Sequence, residues 1–202
     1  MNLLDSAFHL AVAAHANQMD EDGMPHIVHC AAVMSSVKSE LDSKQCYVER
    51  FYTVEELLIA AILHDAVEDS KGLVTLDRIE EDFGLKVRAV VDGLTRRKDE
   101  SYRDFIYRAK QNPGAKFIKI ADLLHNYGRT HKIGEKKAKW RDKLQYKYKI
   151  ALRVLQSLER TSWENESWEV IGDQIFIADP NGKRIEINEA QFKEIRALVR
   201  KS

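Results

Sequence analysis

Long apolar runs are missing from this chain. The longest, residues 57–63, falls far short of the roughly 18 residues that suggest a membrane-spanning helix. Cysteine is scarce as well: Cys30 and Cys46 make neither a C-x-x-C pair nor a disulfide framework, so both read as reduced thiols. No basic leader precedes the first apolar stretch and no cleavage pattern stands out, so the expectation is a cytoplasmic protein. Nor is there an excess of either charge. Lys plus Arg and Asp plus Glu stand at 32 each, and the total therefore points to no partner. Internal repeats and low-complexity stretches are also lacking. With 44% hydrophobic residues in 202, the chain is long enough for one well-buried domain and a small appendage.

Residues 59–69, IAAILHDAVED, end an apolar approach in His64, Asp65, Glu68 and Asp69. On one helix running from about residue 54, His64 and Glu68 lie a turn apart, as do Asp65 and Asp69, giving two adjoining polar stripes. An imidazole beside a carboxylate suits a divalent metal, and two further carboxylates are placed to handle protons. A solvated helix end with a terminal charge cluster explains the same pattern without chemistry.

Elsewhere the spacing predicts a mainly α fold. Leu4, Phe8 and Ala11 share a face of a first helix to about residue 17, and the face continues through His15, read as a hydrogen-bonded core histidine, to Gln18. Gly23 and Pro25 break the chain before His26 and His29, which stand at the entrance of a second helix over 30–38. Thr53 with Glu56 forms a capping box, Thr75 caps a helix that stops at Gly84, and Ser101 with Asp104 caps the helix that ends by Asn112. In the helix of 115–130, Asp122 interrupts an apolar face formed by Phe117, Ile120, Ala121 and Leu124. A carboxylate there needs a cation, a metal or strong donors, or else serves as a cap or in a local ion pair. His125 and Asn126 share its side. Trp140, Leu144, Tyr148, Ala151, Leu155 and Leu158 mark a long amphipathic helix to about residue 159. Nine basic residues between Arg129 and Lys149 face only Glu135 and Asp142, a local excess that favours a phosphate-rich ligand or simply a solvated face. After Arg160, β-type runs at 168–171, 174–178 and 183–187 precede a closing helix capped by Asn188. The expected division is a helical domain over 1–160 and an appendage over 161–202, a small β-meander plus helix that packs on the first domain or on a second subunit of a homo-oligomer.

The stretches GMPHIVH at 23–29, AAILHDAVED at 60–69, FGLKVRAVVDGLT at 83–95 and KIADLLHNYGRT at 119–130 resemble the His-Asp (HD) phosphohydrolase superfamily, specifically the hydrolase domain of RelA/SpoT-type alarmone enzymes and their small relatives. The resemblance spans about residues 5–155 and implies an HD-type helical bundle. It implies His29, His64, Asp65 and Asp122 as metal ligands, usually for manganese, and Glu68 and Asp69 as the pair that orients or activates the attacking water. Asn126 matches a nucleoside contact. Known relatives remove the 3′-pyrophosphate of ppGpp or pppGpp, and animal-type ones also act on NADPH.

The chain departs from the family pattern around substrate. Met19-Asp20-Glu21-Asp22 stand where basic residues are usual, His26 where Tyr is common and Cys30 where Pro is common. Lys139, Arg141, Lys143 and Tyr146 are then the candidates for phosphate and base contacts. The leading expectation is manganese-dependent hydrolysis of ppGpp. The alternatives are another nucleotide, NADPH or a nucleoside phosphate, and a non-enzymatic nucleotide- or partner-binding protein. The aromatic spacing at Trp140, Tyr146 and Tyr148 is explained by packing as well as by base stacking, so nucleic acid is not the expected partner.

Overall fold

The computed structural model describes residues 2–20, 23–43 and 46–156, and the backbone of 168–171, 174–178 and 184–187. The described helices are α1 (Leu3–Ala14), α2 (His26–Ser43), α3 (Val54–Ile62), α4 (Ala66–Asp69), α5 (Leu76–Phe83), α6 (Leu85–Leu94), α7 (Tyr102–Gln111), α8 (Pro113–Arg129) and α9 (Ala138–Gln156). Among the described residues, none of them is long and apolar enough to cross a membrane.

Helix α3 is the hub. Thr53 accepts from the Glu56 N–H while Glu56 accepts from the Thr53 N–H, and from Leu57 to Ile62 every residue is buried. A helix apolar on all sides needs neighbours all round. It has them in α1, α2, α6 and α8. Each large aliphatic side chain fully buried there contributes about 1.5–3 kcal/mol. A second cluster, with Phe105, Ile106, Leu123, Ile150 and Leu155, joins α7, α8 and α9.

Several local readings shift. The buried stripe of α1 is Ala7, Leu10, Ala11 and Ala14, with Phe8 37% exposed, because the short alanines let α1 approach α3. Helix α2 starts at His26 and runs to Ser43, kept helical past residue 38 by Val33, Val37 and Leu41 on one buried face. Pro113 opens α8 at its first turn, where a missing N–H costs nothing, and Asn112 accepts the Ala115 N–H as the cap. Gly84, at φ +88°, turns α5 into α6. On α6, a Cβ at Gly93 would stand 2.7 Å from the Ala115 Cβ, so glycine sets how closely α6 meets α8.

The helix expected to run unbroken from 54 to 69 is broken. It stops at Ile62, turns through Leu63, His64 and Asp65 with the Ala66 N–H donating to the Leu63 carbonyl (3.0 Å), and resumes as the single turn α4. His64 drives the break: its Nδ1–H donates to the Ala61 carbonyl at 2.8 Å, satisfying one of the acceptors a helix end leaves open.

Arg108 of α7 braces the connection that leads back to the site. It donates to both Glu100 carboxylate oxygens (2.7 Å each) and to the carbonyls of Asp92 and Thr95. Arg108→Met leaves those acceptors unmet and is expected to cost about 2 kcal/mol in a urea denaturation series. A loss below roughly 0.5 kcal/mol would mean solvent replaces the guanidinium without penalty.

Beyond Gln156 the backbone of three strands, β1 (Trp168–Ile171), β2 (Gln174–Ala178) and β3 (Arg184–Ile187), pairs antiparallel in that order. The expected end of the long helix near 159 and the closing helix from Asn188 lie outside the described residues.

Candidate metal centre and adjoining cavity

The turn after α3 points His64 inward, 1% exposed, and leaves Asp65 at the mouth. Helix α2 delivers His29 and α8 delivers Asp122, both 3% exposed. His29, His64 and Asp122 each bring a ligand atom within 4.8 Å of the others. Asp65 Oδ2 lies 3.1 Å from His64 Nε2 and 3.6 Å from His29 Nε2, and Asp122 Oδ1 lies 3.3 Å from His29 Nε2 and 3.8 Å from His64 Nε2. Residues 29, 64, 65 and 122, distant in sequence, thus converge on one point.

Protonation explains why that point is built for a cation. His64 spends its Nδ1–H on Ala61, which turns Nε2 toward the two carboxylates, and among the described residues this buried atom has no hydrogen-bond partner. A neutral imidazole so placed sets its Nε2 lone pair against the carboxylates, which is repulsive unless a positive charge sits between them. Two neutral imidazoles and two carboxylates are a donor set for a divalent ion. Without one, His29 supplies the charge: burial works against its protonation, but Asp122 and Asp65 hold its pKa up at about 9. The Nδ1 atoms of His29 and His125 are in hydrogen-bond contact at 2.9 Å, which orients the His29 ring from behind.

Asp122 is held on every side. Lys119 reaches Oδ2 at 2.8 Å and the Asn126 amide donates to Oδ1 at 2.6 Å. Burial works against the Asp122 charge, but Lys119 and the His29 contact keep its carboxyl well below the usual range.

Glu68 and Asp69 stand on the open edge. The Arg96 N–H donates to Glu68 Oε2 at 2.9 Å, and Asp69 Oδ2 is 3.8 Å from His26 Nε2. Desolvation at that edge, with Asp65 nearby, raises the pKa of both carboxyls. Raised carboxyls are better proton acceptors than ordinary ones.

Next to the centre lies a cavity of about 460 Å³, lined by Asp20, Asn126, Arg129, Thr130, Lys132, Ile133, Gly134, Lys137, Trp140, Leu144 and Tyr148. Asn126 therefore faces both the centre and the cavity. Lys143 and Tyr146 do not line it; Tyr146 packs on the second apolar cluster, and Tyr148 supplies the aromatic wall. Of the acidic stretch, Glu21 and Asp22 lie outside the described residues. Asp20 is neutralised, 2.7 Å from both Arg129 and the His26 Nδ1. Arg129 opens the basic stretch, so its charge meets the acidic loop across the cavity.

Sequence reasoning missed a second cluster of cations. Lys147 of α9 lies over the Tyr102 ring at 4.1 Å, within electrostatic reach of Lys119, Arg96, Asp122 and Glu68. Burial, with Lys119 and Arg96 near, pushes its pKa down to about 8. The signal was present in the basic run, but which lysine turned inward was not.

The chain matches the family model described as HD domain over residues 7–123. It is 30% identical over 164 residues to the guanosine-3′,5′-bis(diphosphate) 3′-pyrophosphohydrolase of Mus musculus, covering 76% of this chain and 84% of that protein. Against the protein of that name from Aquifex aeolicus it is 28% identical over 144 residues, covering 67% of this chain and 19% of the other. It spans 16% and 17% of matching relatives from Mycobacterium leprae and Oryza sativa. Its fold is similar, with a TM-score of 0.61 and 22% identity over 80% of this chain and 90% of the other, to a solved structure described as a metazoan ortholog of SpoT that hydrolyzes ppGpp and plays a role in starvation responses.

Proposed function

Because the chain belongs to the HD-domain family, we propose that it is a metal-dependent phosphohydrolase that removes the 3′-pyrophosphate of ppGpp. Water attacks the 3′-linked phosphorus, the bond from phosphorus to the 3′-oxygen breaks, and GDP and pyrophosphate leave. The observation that carries this reading is the His64 Nε2 atom, buried, facing Asp65 and Asp122, and without a hydrogen-bond partner among the described residues. His29, His64, Asp65 and Asp122 would hold the ion, and an all N and O set of this kind suits manganese. A bound divalent ion lowers the pKa of water and polarises a phosphoryl oxygen.

The remaining steps belong to the chain. Glu68 and Asp69, at the open edge with raised pKa, accept the proton of the attacking water. Asn126 fixes Asp122 and presents its other side to the cavity, which takes the nucleoside against Tyr148 and Trp140. Arg96, Lys119 and Lys147 offset the charge of the pyrophosphate beside Glu68. Residues 1–160 carry this activity, with 161–202 as an appendage.

The test is pyrophosphate release from ppGpp by metal-loaded protein, with NADPH and nucleoside triphosphates alongside. Turnover of NADPH but not ppGpp would move the assignment to the other nucleotide, and inertness toward all of them would remove it. Lys147→Met is expected to raise KM for ppGpp about tenfold, equivalent to about 1.4 kcal/mol, while Lys147→Arg stays near wild type. An unchanged KM in Lys147→Met would take Lys147 out of substrate binding.

A further inference from the structure

Beside the centre described above lies a second group of metal-ligating atoms with a different chemistry. His15 caps the C-terminus of α1, while His26 and Cys30 are one turn apart on α2; each contributes a ligand atom within 4.8 Å of the others. The His15 and His26 rings are 4.8 Å apart, centroid to centroid.

The tautomers are set by neighbours. Gln18 donates its amide N–H to the Asp69 carbonyl at 2.7 Å, which leaves Gln18 Oε1 as an acceptor, 2.8 Å from His15 Nδ1. His15 therefore carries its proton on Nδ1, and Nε2 holds a lone pair. That atom is buried and, among the described residues, has no hydrogen-bond partner, in a residue 2% exposed. His26 differs: Asp20 Oδ1 takes its Nδ1–H at 2.7 Å and Asp65 Oδ2 takes its Nε2–H at 3.1 Å, so an ion bound at Nε2 replaces that proton in front of the Asp65 carboxylate. A histidine whose Nδ1–H is held by an oxygen acceptor is a preorganised Nε2 metal ligand. Cys30, 0% exposed, completes the triad, and a ligand atom of Cys30 also groups within 4.8 Å with His64 and Asp65. Asp65 thus stands between the two groups. His26 and Cys30 are two of the positions at which the chain departs from the pattern of the family it resembles.

We propose that His15 Nε2, His26 Nε2 and Cys30 Sγ form a second metal site that takes a borderline-soft divalent ion, zinc foremost, with the Asp65 carboxylate shared between the two sites. Two imidazoles and a thiolate favour zinc or cobalt over manganese or magnesium. The Cys30 thiol and the His26 Nε2–H both give their protons to solvent as the sulfur and the nitrogen bind the ion. Metal bonds of roughly 2.0–2.3 Å require these atoms to draw in by about an ångström, within reach of side-chain rotation. The site does not depend on the hydrolase reading, because its occupancy is read without substrate.

The test is a Co²⁺ titration of the full, reduced, chelator-stripped protein followed by absorbance. Two equivalents bind, one of them with a thiolate-to-cobalt charge-transfer band in the near ultraviolet that Zn²⁺ abolishes. Cys30→Ala removes the band and lowers the stoichiometry to one, whereas Cys46→Ala keeps both. Asp122→Asn loses the other equivalent and keeps the band. His15→Gln weakens the thiolate-associated equivalent at least tenfold, and this variant carries the test if Cys30→Ala fails to fold. A single equivalent that carries the band and is lost in Cys30→Ala supports this site and counts against the other centre, whereas one or two equivalents without the band, or a band that survives Cys30→Ala, overturn the proposal.

Discussion

Asp65→Asn is expected to lower metal-dependent pyrophosphate release from ppGpp by roughly 10³-fold, about 4 kcal/mol of transition-state stabilisation. Asp65 meets three imidazoles, at 3.1 Å from His26, 3.6 Å from His29 and 3.1 Å from His64. Asparagine keeps the volume and removes the charge that would bind the ion. Its side chain is 22% exposed, so the change does not bury an unmet group, and the helical circular dichroism should be preserved. Metal content measured on the same preparation should fall with the activity. Glu68→Gln separates the roles: it is expected to cost roughly 10²- to 10³-fold while retaining the metal, because the proton acceptor goes and the ligands stay. Asp65→Asn protein that works within tenfold of wild type would remove Asp65 from the ligand set.

Stripping the metal is expected to lower Tm by roughly 5–15 °C. A ligand present at 100 to 1,000 times its dissociation constant stabilises the native state by about 2.7–4.1 kcal/mol, and each kcal/mol is worth about 2–4 °C for a domain of this size. The structural cause is the unfavourable set that remains: the carboxylates of Asp65 and Asp122 converge on His64 Nε2. Among the described residues, Lys119 meets Asp122 and His29 lies between the carboxylates, so the pocket is only partly compensated. Scanning calorimetry of chelated and manganese-loaded protein measures the difference, and Asp122→Asn should show almost none of it. Equal melting temperatures for chelated and loaded wild-type protein would mean that the pocket binds no ion.

Local order was legible where a few neighbouring residues decide it. Thr53 with Glu56, Thr75 and Ser101 cap helices as their side-chain chemistry dictates, because an N-cap hydrogen bond spans only three residues. The same locality misled at 63–65. Periodicity carries a helix through His64, yet the side chain of His64 competes for the Ala61 carbonyl and turns the chain. The helix expected to end by Asn112 does so, and the next opens at Pro113, two residues before the expected 115, because a proline that ends one helix suits the first turn of another.

By itself the sequence determined a mainly helical chain with His-Asp and Asp-x-x-x-Asn elements in separate segments, since residue type and periodicity are local properties. Only the tertiary structure decided that His29, His64, Asp65 and Asp122 meet, that Asn126 clamps Asp122, that Lys147 turns inward over Tyr102, and that His15, the expected core histidine hydrogen-bonded to Gln18, also stands beside His26 and Cys30. Each of these depends on the packing of α1, α2, α8 and α9 around α3 and α7. Burial, and with it the cost of an unpaired lone pair or charge, exists only once those helices have closed on one another.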